Sequence, residues 1–188
     1  MVNRLLANID PRRSLAASAM WLIIALAVTF SIGAILTLPI LPPRAASKLR
    51  AVDPTLIETY GWPRLASEVA TAARSAPGAT IVFTSNYGEA GAVTFYGRRF
   101  GLDLPVASGH NAYGDWGPPA GSDDTVLAVG EFDQQDLQRF WSSVTEILPI
   151  TQPKGIVDQE TADHAAVYLC QDPHGTWAEL WPSLRHLD

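Results

Sequence analysis

Cysteine is almost absent from this sequence: its 188 residues contain one, Cys170. A single thiol forms no internal disulfide and no thiolate metal cage. It lies in the apolar run Ala165–Cys170, the setting of a buried small hydrophobe. Positive charge is scarce as well. Residues 51–188 hold 7 Lys plus Arg against 18 Asp plus Glu, a net of −11 with His neutral. So acidic a surface repels phosphate backbones, which argues against a nucleic-acid partner. There is no internal repeat and no Gly-x-Ser-x-Gly turn, and Gly88-Glu89-Ala90-Gly91 lacks the glycine spacing of a dinucleotide or phosphate loop. His110, Asp115 and Glu89 are the right residue types for a metal site or an acid/base pair. No i, i+4 or His-x-His spacing fixes them together, so neither a metal nor another cofactor is expected.

The longest absence is of charge itself. Ser14 to Pro43 contains no charged residue, and within it Ala19–Leu41 is apolar apart from Thr29, Ser31 and Thr37. Those 23 residues make a helix of about 34 Å, enough to cross a hydrocarbon core of about 30 Å. The three hydroxyls can bond back to the helix backbone, and Pro39, Pro42 and Pro43 end the helix. A cleavable signal peptide has a shorter apolar core, and Arg44-Ala45-Ala46-Ser47 is a poor cleavage site. The basic residues balance across the span: Arg4, Arg12 and Arg13 before it, Arg44, Lys48 and Arg50 after it. The acidic region downstream favours a cytoplasmic N-terminus and an extracytoplasmic C-terminal domain. The expected organisation is a lead-in over 1–18, a transmembrane helix over 19–41, a juxtamembrane connector over 42–62 and a domain over 63–188. The bilayer of the cytoplasmic membrane is the first partner it implies.

Within the domain, Pro63–Arg74 carries Leu65, Val69 and Ala73 on one stripe and predicts a helix begun by proline. Ala79–Thr84 reads as a buried strand, and Asn86 or Ser85 as the cap of a helix to Tyr96 with Glu89 in its first turn. Leu104–Ala107 and Thr125–Gly130 read as further strands, Asp133–Val144 as a helix, and Ile147–Ile150 and Ala165–Gln171 as strands. His174–Arg185, interrupted by Pro182, closes the chain as a short bent helix. Strands alternating with helices predict a small three-layer α/β domain around a mostly parallel sheet. Ligands of such sheets bind beyond the carboxyl ends of the strands. Ser85–Glu89 and Ser108–Pro119 fall there. The second loop gathers His110, Asn111, Tyr113, Asp115 and Trp116, polar groups beside aromatic faces of the kind that bind sugars. Tyr113 and Trp116 equally suit packing of the loop on the sheet. His164, His174 and His186 are scattered and read as surface or cap residues.

These motifs occur in a familiar order. Thr84-Ser85-Asn86-Tyr87-Gly88-Glu89-Ala90-Gly91-Ala92 with Phe95-Tyr96-Gly97, Leu104-Pro105, Ser108-Gly109-His110-Asn111 and Trp116-Gly117-Pro118-Pro119 resembles the C-terminal extracytoplasmic domain of bacterial membrane glycosyltransferases. The relatives are the protein-mannosyltransferase-like, aminoarabinose-transferase-like enzymes of glycosyltransferase family 39, and the span here resembles their last membrane helix. The resemblance implies transfer of a sugar from a polyprenyl-phosphate carrier to an acceptor outside the cytoplasmic membrane. In that family the catalytic acidic residues lie in the first extracytoplasmic loop of a many-helix bundle. This sequence has one span and no such loop, so the resemblance implies the trailing domain without its active centre, as in a truncated or split enzyme inactive alone. No catalytic residue is carried over. The resemblance implies that Asn86, Tyr87, Glu89, His110, Asn111 and Trp116 face the acceptor, a polyprenyl-phosphate sugar or a multi-spanning partner; with Tyr113 and Asp115, which the loop itself suggests, they are the expected substrate-binding residues. The alternative is a self-sufficient single-span protein whose outer domain binds a carbohydrate or a partner.

Overall fold

The computed structural model describes residues 11–38, 40–121 and 124–187. Helix α1, Pro11–Thr37, comes first. Its stretch Ala17–Thr37, 21 residues, is long and apolar enough to cross a membrane. No residue of that stretch is buried: Trp21 is 65% and Phe30 78% exposed, and only Gly33, Ala34 and Leu36 are half-buried. Ser31 Oγ donates to the Ala27 carbonyl (2.8 Å) and Thr37 Oγ1 to that of Gly33 (2.9 Å), so the helix absorbs its own hydroxyls. The helix stops at Thr37 instead of Leu41, because a residue preceding proline, here Leu38, is pushed out of the α region. It also reaches back to Pro11, inside the expected lead-in, whose residues 1–10 lie outside the described ones.

The connector is structured. Helix α2, Pro43–Leu49, and a 3-10 turn, Pro54–Thr59, bury Ala46, Leu56 and Ile57. Ser47 is the hub that fixes them to the domain. Its Oγ donates to the Pro43 carbonyl (2.7 Å), accepts from Val157 N (2.9 Å) and lies 2.9 Å from the Tyr60 hydroxyl, which donates to the Val157 carbonyl.

Beyond it run helix α3 (Trp62–Ser75), strand β1 (Ile81–Thr84), helix α4 (Tyr87–Tyr96), a 3-10 turn (Gly97–Phe100), strand β2 (Val106–Ser108) and helix α5 (Asn111–Asp115). Strand β3 (Thr125–Gly130), helix α6 (Gln134–Leu137), strand β4 (Trp141–Pro149), helix α7 (Gln159–Ala162), strand β5 (Ala166–Pro173) and helix α8 (Trp177–Leu184) complete the domain. The sheet order is β2-β1-β3-β5-β4. Pairing is parallel across β2-β1-β3 and antiparallel across β3-β5-β4. The sheet is therefore mixed, and the expectation of a mostly parallel sheet holds only for its first three strands. Both faces are covered. Val82, Leu127 and Val129 turn to α3 and α4, while Ile81, Phe83, Val126 and Ala128 turn to Trp141, Trp177 and Trp181. Burial on alternate sides explains why these strands read as unbroken apolar runs.

One predicted helix is largely a strand. Leu137, Phe140, Trp141 and Val144 have helical spacing, yet only Gln134–Leu137 is helical and Trp141 begins β4. A four-point apolar match to the helical period over so short a run is weak evidence for a helix. Ser142, Ser143 and Thr145 are poor helix formers, and β5 offers β4 an antiparallel ladder from Trp141↔Pro173 to Pro149↔Ala166, broken by one register shift between Glu146 and Leu148.

The Ser47 hub generates a test. Ser47→Ala leaves Val157 N without its acceptor, while the Tyr60 hydroxyl keeps the Val157 carbonyl, and lowers stability by about 1–2 kcal/mol. Thermal melts of the detergent-solubilised chain measure the loss, and faster amide exchange over residues 54–60 locates it.

Candidate functional site

The site grows from the carboxyl ends of the three parallel strands. After β1, Asn86 caps α4: its side chain accepts from Glu89 N (2.9 Å), and Asn86 N donates back to Glu89 Oε2 (3.2 Å). This reciprocal box aims Tyr87 and Gly88 outward at the helix start. After β2, Ser108 Oγ accepts from His110 N (3.2 Å), and Asn111 Nδ2 lies 2.8 Å from His110 Nε2, as a donor to that ring nitrogen. Asn111 has φ +49°, a left-handed conformation that asparagine adopts more readily than other side chains. After β3 comes Glu131.

The chain's last residues close the site from the side. His110 and His186 form a parallel β-bridge, with Asn111 N donating to the His186 carbonyl and His186 N to that of Gly109, both at 3.0 Å. Their rings stack at 4.8 Å, and Tyr87 lies 5.1 Å from the His110 ring on its other flank. A Cβ on Gly109 would collide with the Leu184 carbonyl oxygen, so only glycine lets the two segments meet.

The resulting cleft has a volume of about 480 Å³, within the range of small-molecule sites. Asn86, Tyr87, His110 and Asn111 line it, joined by Trp62 and Glu58 from the connector side, Glu131 after β3 and Gln159 from α7. It offers three amides, an imidazole, two carboxylates and two aromatic faces. No Lys or Arg is among its described lining residues.

Four of the eight expected residues thus converge. The other four sit elsewhere. Glu89 is 1% exposed and lies behind the cleft as the α4 cap. Tyr113 and Trp116 pair at 4.3 Å on a separate, larger groove of about 880 Å³ between α4 and β2. Asp115 is held by Arg185 on the surface. Sequence reasoning missed Glu58, Trp62, Glu131, Gln159 and His186. The first two were read only as connector, and nothing local marks His186, whose place depends on a bridge to a loop some 75 residues earlier. Glu131 was legible in principle, because it follows a buried strand just as Ser85 and Ser108 do. His174, bonded to Ser142 Oγ and the Arg139 carbonyl, braces the β4 entry away from the site.

Two buried carboxyls back the cleft. Burial pushes Glu89 up to about 8, against the bonds from Ser85 Oγ and Asn86 N that favour its charge; Glu160 and Glu131 raise it further. Burial likewise pushes Glu160 up to about 7, with Asp158, Asp163 and Glu131 adding to the rise. Both Glu160 carboxyl oxygens are buried without a hydrogen-bond partner. Burial thus holds both carboxyls toward their protonated form near neutral pH, Glu89 more strongly than Glu160. Gly130, at φ +125°, makes room for this pocket of acids: a Cβ there would strike Ser85 Oγ and both Glu89 oxygens. Among the described residues, no three Asp, Glu, His or Cys side chains converge to hold a metal.

Comparison with protein-family models, with curated proteins and with solved structures finds no match.

The raised carboxyls set a pH dependence. Their contribution is fully present below the unfolded value of about 4.5 and is lost as pH rises through about 7 and 8. Glu160→Gln removes the charge at constant volume. It is expected to be about 2 kcal/mol more stable than the parent chain at pH ~8.5 and nearly equal at pH ~5. Melting curves at the two pH values check it.

Proposed function

We propose that this chain is a membrane-anchored extracytoplasmic module of the polyprenyl-phosphate-sugar glycosyltransferase kind, which holds a sugar in the cleft and lacks transferase activity by itself. The carrying observation is that Asn86, Tyr87, His110 and Asn111, drawn from two separate motifs of the resemblance, line one cleft. In this reading α1 is a single span of the cytoplasmic membrane and the domain stands outside it. A multi-spanning partner supplies the transfer chemistry. The cleft's make-up supports a sugar: amide and carboxyl groups bond hydroxyls in both senses, and the faces of Trp62 and Tyr87 suit C–H surfaces of a ring. It does not suit a phosphate, since Glu58 and Glu131 bring negative charge and no lining Lys or Arg offsets it. The carrier phosphate therefore belongs outside the cleft, with only the sugar entering.

That same acidity favours a second reading, a free-standing carbohydrate-binding protein that needs no lipid carrier.

The full chain in nanodiscs, titrated with neutral hexoses and pentoses and with polyprenyl-phosphate sugars, tests both. Trp62 reports through its fluorescence. Binding is expected to saturate, and His110→Ala or Asn111→Ala to weaken it about tenfold, the loss of one well-made hydrogen bond. Binding unchanged in both variants, or sugar transfer by the purified chain, would overturn the proposal. Equal affinity for free and carrier-linked sugar would select the second reading.

A further inference from the structure

The domain's positive charge is not spread evenly. Of its seven Lys and Arg, Lys154 stands exposed in the turn between β4 and α7, and Arg64, Arg139 and Arg185 each hold a carboxylate. Arg74, Arg98 and Arg99 lie together where α3 ends and α4 runs into its 3-10 turn, Arg74 Nη1 donating to the Phe100 carbonyl (3.2 Å). No ion pair engages these three among the described residues. Arg98 and Arg99 are exposed.

The same place carries two of the domain's most exposed aromatics, Phe95 (68%) and Trp116 (74%). Phe95 packs edge-on to Tyr96 at 4.8 Å, and the Arg99 guanidinium sits over both rings, 5.9 and 5.4 Å from their centroids. Phe95, Arg98 and Trp116 all border the large groove, whose one described carboxylate is Asp103. Exposed aromatics beside arginines that no described carboxylate engages, on a domain whose residues 63–188 carry 7 Lys plus Arg against 16 Asp plus Glu, a net of −9, are the residue pairing found at membrane–water interfaces.

The connection to α1 reaches this face. Trp62, the first residue of α3, shares a shallow groove with Phe95 and Tyr96 on the outer side of α4. The connector itself is basic before it enters the domain, with Arg44, Lys48 and Arg50.

We infer that the outer face of α4, its following 3-10 turn and the tip of α5 form a contact surface for anionic phospholipid headgroups. Phe95 and Trp116 enter the interfacial layer, and Arg98 and Arg99 bond lipid phosphates. The acidic remainder of the domain is repelled by the same surface, so the two signs fix which side faces the bilayer. The inference rests on α1 spanning the membrane and is independent of what the cleft binds.

Hydrogen exchange on the full chain in nanodiscs tests it, comparing phosphatidylcholine alone with phosphatidylcholine plus phosphatidylglycerol. Amides of residues 94–103 are expected to exchange roughly tenfold more slowly with the anionic lipid, from two arginine contacts. The double variant Arg98→Glu/Arg99→Glu should abolish that difference while β3 amides keep their protection, which shows the fold intact. Equal exchange in both bilayers, or slowing that survives the charge reversal, would overturn the surface. A chain that fails to co-elute with nanodiscs would overturn the anchor and the surface together, whereas one that co-elutes and exchanges identically overturns the surface alone.

Discussion

Glu89 is a carboxyl group buried without a cation, and three structural elements meet on it. Its backbone N–H closes the cap on α4, its Oε2 accepts from Ser85 Oγ (2.8 Å) and Asn86 N (3.2 Å), and Gly130 at the end of β3 leaves it room. For a charged carboxylate in this position the two hydrogen bonds do not offset the cost of burial, and the side chain is pushed toward its protonated form. What results is a neutral, fully packed wedge that joins the exit of β1 to the exit of β3. The directions of Asn86 and Tyr87 follow from it, and with them one wall of the cleft.

The opposite wall depends on a different kind of constraint. Gly109 allows the segment after β2 to lie against the end of α8, so that His110 is clasped between Tyr87 and His186. Neither partner is near His110 in sequence. The cleft is thus built from three strand exits, a connector and a C-terminal segment, each held by its own short-range rule. Its acidity comes from Glu58 and Glu131, which sit on pieces added around the sheet.

How much of this the residues revealed follows from how local each rule is. The cap at Asn86 and Glu89, the proline-led start of α3 and the apolar runs of β1, β3 and β5 are written within a few residues, and each is found close to where it was read. Asn86, Tyr87, His110 and Asn111 were also legible, because strand exits in an α/β sheet point to one edge. The antiparallel turn of β4 and β5 was not. Leu137 to Val144 satisfies a helical period, and only pairing with β5 decides for a strand. Trp62 and Gln159 enter the cleft, and His186 backs His110, through contacts between distant parts of the chain, which no window of sequence contains. Asp115, Tyr113 and Trp116 share a loop with His110, but α5 turns them away from it.

The span of these closures bears on the order in which the protein matures. Ser47 reaches Val157 across 110 positions, and Gly109 waits for His186. While the chain is being made, α3, β1 and α4 can begin to assemble before the later partners of the connector have appeared. The partners that pin the connector and complete the cleft arrive only with the final third of the chain. Long loops of this kind close late, after the local elements have formed. An acidic, partly built domain would then stand tethered for a time with Leu56, Ile57 and Phe83 still uncovered, and its cleft would be the last part of the molecule to exist.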